Sequence, residues 1–154
     1  MERVLPGAVG ILSEARQRPH KDSAVNLEQD VTIIGLDHVQ ITVPRDAERA
    51  ARDFYCGLLG LAELEKPAPL KPRGGFWLAV GDRQVHVGVE DGVDRAATKA
   101  HVAYAVDDLD VWREKLSVAG IRVDESIPLD GVRRFEFRDP FGNRVEMAEH
   151  AATK

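Results

Sequence analysis

The sequence predicts an α+β protein built from two tandem βαβββ modules, whose curved mixed sheets surround a metal-containing cavity. Three observations predict it. Two strand-like stretches, LDHVQITV at 36–43 and AHVAYAV at 100–106, carry His38 and His101, 63 positions apart, and each alternates apolar with polar or small residues. Landmarks further along repeat at nearly the same spacing: Gly60-Leu61 and Gly120-Ile121 at an offset of 60, Phe76 and Phe135 at 59, His86 and Glu146 at 60. Each copy also carries a residue able to ligate a metal on its first strand and on its last.

The 154 residues suffice for one domain with a substantial core. A hydrophobic fraction of 44% and a charged fraction of 31% are ordinary for a globular protein in water. The formal net charge of −5 and the lack of a basic cluster set nucleic acid aside as a partner. No apolar run approaches the length of a membrane span. The one cysteine, Cys56, excludes an intramolecular disulfide and reads as a small core residue, so nothing calls for an oxidising compartment and a cytoplasmic location is expected.

Residues 1–34 match neither copy and read as an N-terminal extension, with two helical turns over 9–16 and a loop at 17–23 that holds a solvated His20. The single domain is expected over 35–149, with module one at 35–90, module two at 100–149 and a short tail at 150–154. Module one opens on a strand over 35–43 that Pro44 stops. Asp46 is placed to cap a helix whose apolar stripe, Ala47, Ala50, Ala51, Phe54, Tyr55, Leu58 and Leu59, ends at Gly60. A short strand at 61–64 precedes a loop, KPAPLKPRGG at 66–75, and then a hairpin of 76–80 and 84–89 turns at Gly81-Asp82. The small and polar stretch 91–99 reads as a linker. Module two repeats the plan: a strand over 101–106, a helix over 109–119 capped by the Asp107-Asp108 pair, a strand over 121–124, and a closing hairpin of 133–138 and 144–148 turned by DPFGN.

Side-chain parity locates the chemistry. On the ligand-bearing strands, Val39 and Ile41, Val85 and Val87, Val102 and Tyr104, and Val145 and Met147 share the faces expected to pack on the helices. The opposite faces carry His38, His86, His101 and Glu146, which converge in one concave cavity if the two sheets curve toward each other. The same parity puts Trp77, Arg134 and Glu136 on the cavity side as candidate substrate-binding residues, Trp77 to stack on a planar group, Arg134 to hold an anion and Glu136 to act as a base. Packing, for Trp77, and a cross-strand ion pair, for the two charges, are the structural alternatives. Lys71 and Arg73 in the long loop read as solvated charges, with contact to an acidic substrate group as the alternative.

The repeat, the strands LDHVQITV and HVAYAV, and the closing RRFEFRDPFGNRVEM resemble the vicinal oxygen chelate superfamily, which includes glyoxalases, bleomycin resistance proteins and extradiol dioxygenases. The resemblance covers about residues 34–149. It implies His38, His86, His101 and Glu146 as ligands of one divalent ion (Zn, Ni, Fe, Mn or Co), with His86 and Glu146 as the catalytic pair. His86 departs from the glutamate usual in glyoxalase I, and a base or proton donor beside the ion is its other role. The implied function is a metal-dependent lyase, isomerase or dioxygenase acting on a small molecule that chelates through neighbouring oxygens. The alternative is a metal-free drug or metabolite binding protein of the bleomycin-resistance type. The resemblance also implies a homodimer, either side by side or with modules exchanged, in which case His38 and His86 of one chain meet His101 and Glu146 of the other.

Overall fold

The structure is a computed structural model that describes residues 32–151. The extension read over 1–34, with its helical turns and His20, lies outside the described residues as far as residue 31, as does the tail from residue 152 onward. The chain divides between Ile34 and Gly35, and all eight strands lie in the unit that begins at Gly35.

The first module runs β1 (His38–Val43), α1 (Glu48–Arg52), β2 (Ala62–Leu64), β3 (Phe76–Val80) and β4 (Arg83–Val89). The second runs β5 (His101–Ala105), α2 (Leu109–Val118), β6 (Val123–Glu125), β7 (Val132–Arg138) and β8 (Arg144–His150). The two sheets have the same topology, β1-β4-β3-β2 and β5-β8-β7-β6. In each the first strand lies parallel to the last and the other neighbours are antiparallel, which is the βαβββ plan carried out twice.

The first helix departs from its sequence reading. Asp46 has φ of 65° and sits in the turn, while Ala47 takes the cap position without a side-chain bond. After Arg52 the helix widens into a π-helical stretch, Asp53–Leu58, in which the Leu59 amide reaches the Phe54 carbonyl. The extra residue per turn lets both Phe54 and Tyr55 face the core, where they are buried. The second helix follows its reading: Asp108 accepts from the amides of Asp110 and Val111, satisfying two donors at the helix start.

One apolar cluster joins the modules. Tyr55, Phe76 and Leu78 from the first meet Phe135, Phe137, Leu109, Leu116 and Met147 from the second, all but fully buried and each stabilising by about 1.5–3 kcal/mol on the transfer scale. Phe54 and Phe137 approach with ring centroids 6.4 Å apart. Polar groups at the edge of the cluster fix the relation of the modules. The Tyr55 hydroxyl donates to Asp139 Oδ2 at 2.6 Å, and Asn143 Nδ2 donates to the Thr42 carbonyl at 3.0 Å.

The stretch 91–99, read as a linker, is tied to both modules by hydrogen bonds. Arg95 is buried, donates to the Thr42 carbonyl at 2.7 Å and to the carbonyls of Glu90 and Val93, and so ties the end of β1 to the exit from β4. Arg138 in turn donates to the carbonyls of Arg95 and Thr98. A buried guanidinium persists because these carbonyls satisfy its N–H groups. Composition alone, small and polar, hides this role. The segment read as the loop 66–75 also contains a short 3₁₀ turn, Ala68–Arg73.

Candidate metal centre

Each sheet presents the face opposite the core as a platform for one pair of candidate ligands. On the first, the strand pairing sets Gln40 beside His86 and His86 beside Trp77, a row across β1, β4 and β3. His38, two residues before Gln40 and on the same face, stacks on His86 with ring centroids 4.0 Å apart and planes 16° from parallel. Trp77 stacks on the same His86 ring at 4.1 Å and 3°. The three flat rings therefore form a pile that fixes both imidazole planes.

Their nitrogens are fixed as well. His38 Nδ1 donates to Asp37 Oδ1 at 2.6 Å, which turns Nε2 away from that carboxylate as the nitrogen able to ligate from the neutral ring. This neighbour holds the Asp37 carboxyl below the usual carboxylate range. His86 Nε2 donates to Gln84 Oε1 at 2.9 Å, leaving Nδ1 free to accept. Burial, followed by the charge of His38, lowers the pKa of His86 below the ordinary imidazole value.

The second platform is a ladder of charge. Glu136 and Glu146 stand directly opposite one another on β7 and β8, a destabilising pairing if left alone. Two arginines on the diagonals relieve it: Arg144 Nε donates to Glu136 at 2.6 Å, and Arg134 Nη1 donates to Glu146 Oε1 at 3.2 Å. Glu136, read as a candidate base, is thus held in a cross-strand ion pair. Arg134, read as an anion holder, grips Glu146 and the Ile127 carbonyl.

His101 completes this platform. Its Nδ1 donates to the Lys99 carbonyl at 3.0 Å, and its Nε2 lies 3.2 Å from Glu146 Oε2, where the neutral ring presents a lone pair and the imidazolium a donor. Two electron-pair donors facing each other at this separation fit a shared cation: ligands bound at ~2.1 Å in adjacent coordination positions lie about 3 Å apart. The backbone bond to the far ring nitrogen is the device that orients metal-binding histidines generally. Glu146 is 6% exposed, so its free oxygen is shielded from water by the sheet and open toward His101.

The chain alone brings these residues together as two pairs. His38 and His86 meet on one sheet, His101 and Glu146 on the other, and among the described residues no group of three or more His, Cys, Asp or Glu is arranged to hold a metal ion. His38 and His101 remain exposed on their outer sides. A cavity of about 400 Å³ between the edge strands β1 and β5 is lined by His101 with Gln40, Arg95 and Asn143, but by neither His86 nor Glu146. Sequence reading missed the residues that set the platforms: Gln84, which anchors His86, and Arg144, which neutralises Glu136. Their signal was their position two residues before His86 and Glu146 on the same strand face. No helix among the described residues is long and apolar enough to cross a membrane.

Comparison with known proteins gives a consistent result. A family model described as the Glyoxalase/Bleomycin resistance protein/Dioxygenase superfamily matches residues 35–147. No curated protein matches the chain. Among solved structures, a glyoxalase family protein from Bacillus anthracis is 39% identical, with a TM-score of 0.73 over 79% of this chain and 99% of that one. The fosfomycin resistance protein FosX from Listeria monocytogenes, solved with Mn(II) and sulfate, is 18% identical with a TM-score of 0.60, over 79% of this chain and 93% of that one. Lactoylglutathione lyase from Agrobacterium tumefaciens is 20% identical with a TM-score of 0.59, over 76% and 94%. The last two share the fold.

Proposed function

Because the chain belongs to the Glyoxalase/Bleomycin resistance protein/Dioxygenase superfamily, we propose that it is a divalent-metal-dependent enzyme acting on a small molecule that chelates through neighbouring oxygens. The observation that carries this reading is His101 Nε2 set 3.2 Å from a buried Glu146 oxygen, its other nitrogen fixed on the Lys99 carbonyl. The Mn(II) complex of FosX, a protein of the same fold, supports a metal at this level. His38, His101 and Glu146 are the core ligands, with His86 either a fourth or the base beside them. Two imidazoles and a carboxylate leave coordination positions open for a substrate with two neighbouring oxygens.

The ligands are proposed to be assembled by exchange in a homodimer, His38 and His86 from one chain meeting His101 and Glu146 of the other. Support comes from the two half-sites, which stay apart within the single chain, each with one exposed histidine, His38 or His101. A location in the cytoplasm accompanies this reading, given the single cysteine and no disulfide.

A bound divalent ion supplies Lewis-acid stabilisation of negative charge on the substrate oxygens. The side chains do the rest. Arg134 donates to Glu146 and so aims its carboxylate. The lowered pKa of His86 keeps it neutral at pH 7, and Nδ1 is then free to accept a proton from the substrate. Trp77, stacked on His86, holds that ring in one orientation and offers its edge to the substrate.

The test is elemental analysis of protein purified without chelator or affinity metal, beside His101→Ala and Glu146→Ala. Expected is about one divalent ion per chain, lost in both variants. Iron or manganese directs attention to dioxygenation, and nickel, zinc or cobalt to isomerase or lyase chemistry. A native protein that holds no metal and takes up none on titration sinks the enzyme and favours a metal-free binding protein.

A further inference from the structure

The segment between β2 and β3 folds back over the first platform and encloses a second cavity, about 280 Å³, against it. Gln40, His86 and Trp77 form the floor, and Lys66, Leu70 and Arg73 form the wall. The wall brings two full positive charges, and no carboxylate lines the cavity. Among the described residues Arg73 has no carboxylate partner. Lys71, two residues away, points elsewhere: it pairs with Glu65 at 3.5 Å and lines a different cavity beside Glu63. Lys71 is thus neutralised outside this cavity, whereas Arg73 lines this one and Lys66 lies between the two, lining both.

The wall is also held in place. Gly74 and Gly75 have φ of 69° and 74°. A Cβ on Gly75 would sit 2.1 Å from the Val87 carbonyl oxygen, so only glycine lets the chain press this closely on β4. The Lys66 ammonium donates to the Gly74 carbonyl, closing the segment into a loop and leaving two N–H groups free. On the floor, Gly88 makes room for the Gln40 amide, whose Nε2 a Cβ there would meet at 3.0 Å. That amide adds an uncharged donor to the charged pair.

The geometry points to an oxyanion subsite: Lys66 and Arg73, with Gln40, receive a carboxylate or phosphoryl group of the substrate while its reacting end lies over His86. The inference rests on the proposed metal-dependent function and deepens it, making the substrate an acid rather than a neutral compound. An ammonium and a guanidinium in one pocket suit a group of one or two negative charges, with Arg73 able to bind two oxygens at once.

The test titrates inorganic phosphate and, separately, acetate into the full chain, with and without added Mn(II). NMR follows the Trp77 indole N–H and the Gly74 and Gly75 amides. Expected are saturable shifts at these groups, an affinity about tenfold lower in Arg73→Gln and Lys66→Gln, and no change in Lys71→Gln, which removes the same charge from outside the cavity. Arg73 is exposed, so its variant folds. Tighter binding of phosphate than of acetate assigns a phosphoryl group, and comparable binding a carboxylate. No shift at these groups, or equal losses in all three variants, overturns the inference. A chain that binds metal without responding to either anion leaves the proposed function standing and removes the subsite. One that binds phosphate at Trp77 but never metal keeps the subsite and removes the enzyme.

Discussion

Replacing Tyr55 with phenylalanine tests how the modules are locked together. The Tyr55 hydroxyl is wholly buried and donates to Asp139 Oδ2 at 2.6 Å across the boundary between modules. Asp139, itself 4% exposed, accepts three further bonds, from the amides of Phe141 and Asn143 on Oδ1 and from Asn143 Nδ2 on Oδ2. The variant removes one charge-assisted bond yet leaves Oδ2 with a donor, so the expected loss is about 1.5–3 kcal/mol. Asp139→Ala removes all four hydrogen bonds and strands a buried hydroxyl, for a loss of about 4–5 kcal/mol. Against a total stability of about 5–15 kcal/mol, that second variant stands near the threshold of folding. Urea unfolding of both proteins, with Tyr55→Phe keeping the native m-value, measures the effect. A loss below about 0.5 kcal/mol in Tyr55→Phe would show that the bond holds nothing together.

Other consequences follow from the same contacts. Gly75→Ala, with its Cβ forced into the Val87 carbonyl, is expected to cost about 2 kcal/mol or more, whereas Gly81→Ala, with φ of 57° and open space around it, costs about 1 kcal/mol; thermal melts of the two compare them. Arg95→Met strips donors from the carbonyls of Thr42, Glu90 and Val93 and is expected to lose about 2–4 kcal/mol in urea unfolding. The depressed pKa of His86 means that the unfolded chain binds its proton more readily. The stability it contributes is therefore complete above pH 6.5 and is lost as pH falls through the lower folded value. His86→Gln flattens that part of the pH profile of metal-free protein, and an unchanged slope would contradict the assignment.

Much of the fold was legible because strands advertise themselves by parity. The alternation around His38, His86, His101 and Glu146 marks two faces, and the pairings align the buried Val85, Val87, Val145 and Met147 with Val39, Ile41, Val102 and Tyr104 on the other face. Asp108 was readable as a cap because a cap acts within three residues of itself. Asp46 misled for the same reason in reverse: aspartate also tolerates positive φ, and the turn after Pro44 used it for that. The contacts that position the platforms were not legible. Tyr55 and Asp139 are 84 residues apart, Asn143 and Thr42 are 101 apart, and no local pattern signals either pairing. Arg95 shows the limit most plainly, since a buried arginine and a solvated one look alike in a polar stretch. At the candidate centre, parity gave the face of each residue but not the distance between the two faces, which depends on how the modules are joined.

The most direct test mixes two defective chains. His38→Ala and Glu146→Ala each remove a ligand from a different half-site, and neither homodimer is expected to hold metal. If one chain's His38 meets another chain's Glu146, unfolding and refolding the two variants together gives mixed dimers with one fully wild-type site. Metal measured on those dimers is expected to return at one ion per pair of chains. A native protein that binds metal, combined with a mixed sample that regains none, would contradict a centre shared between exchanged half-sites.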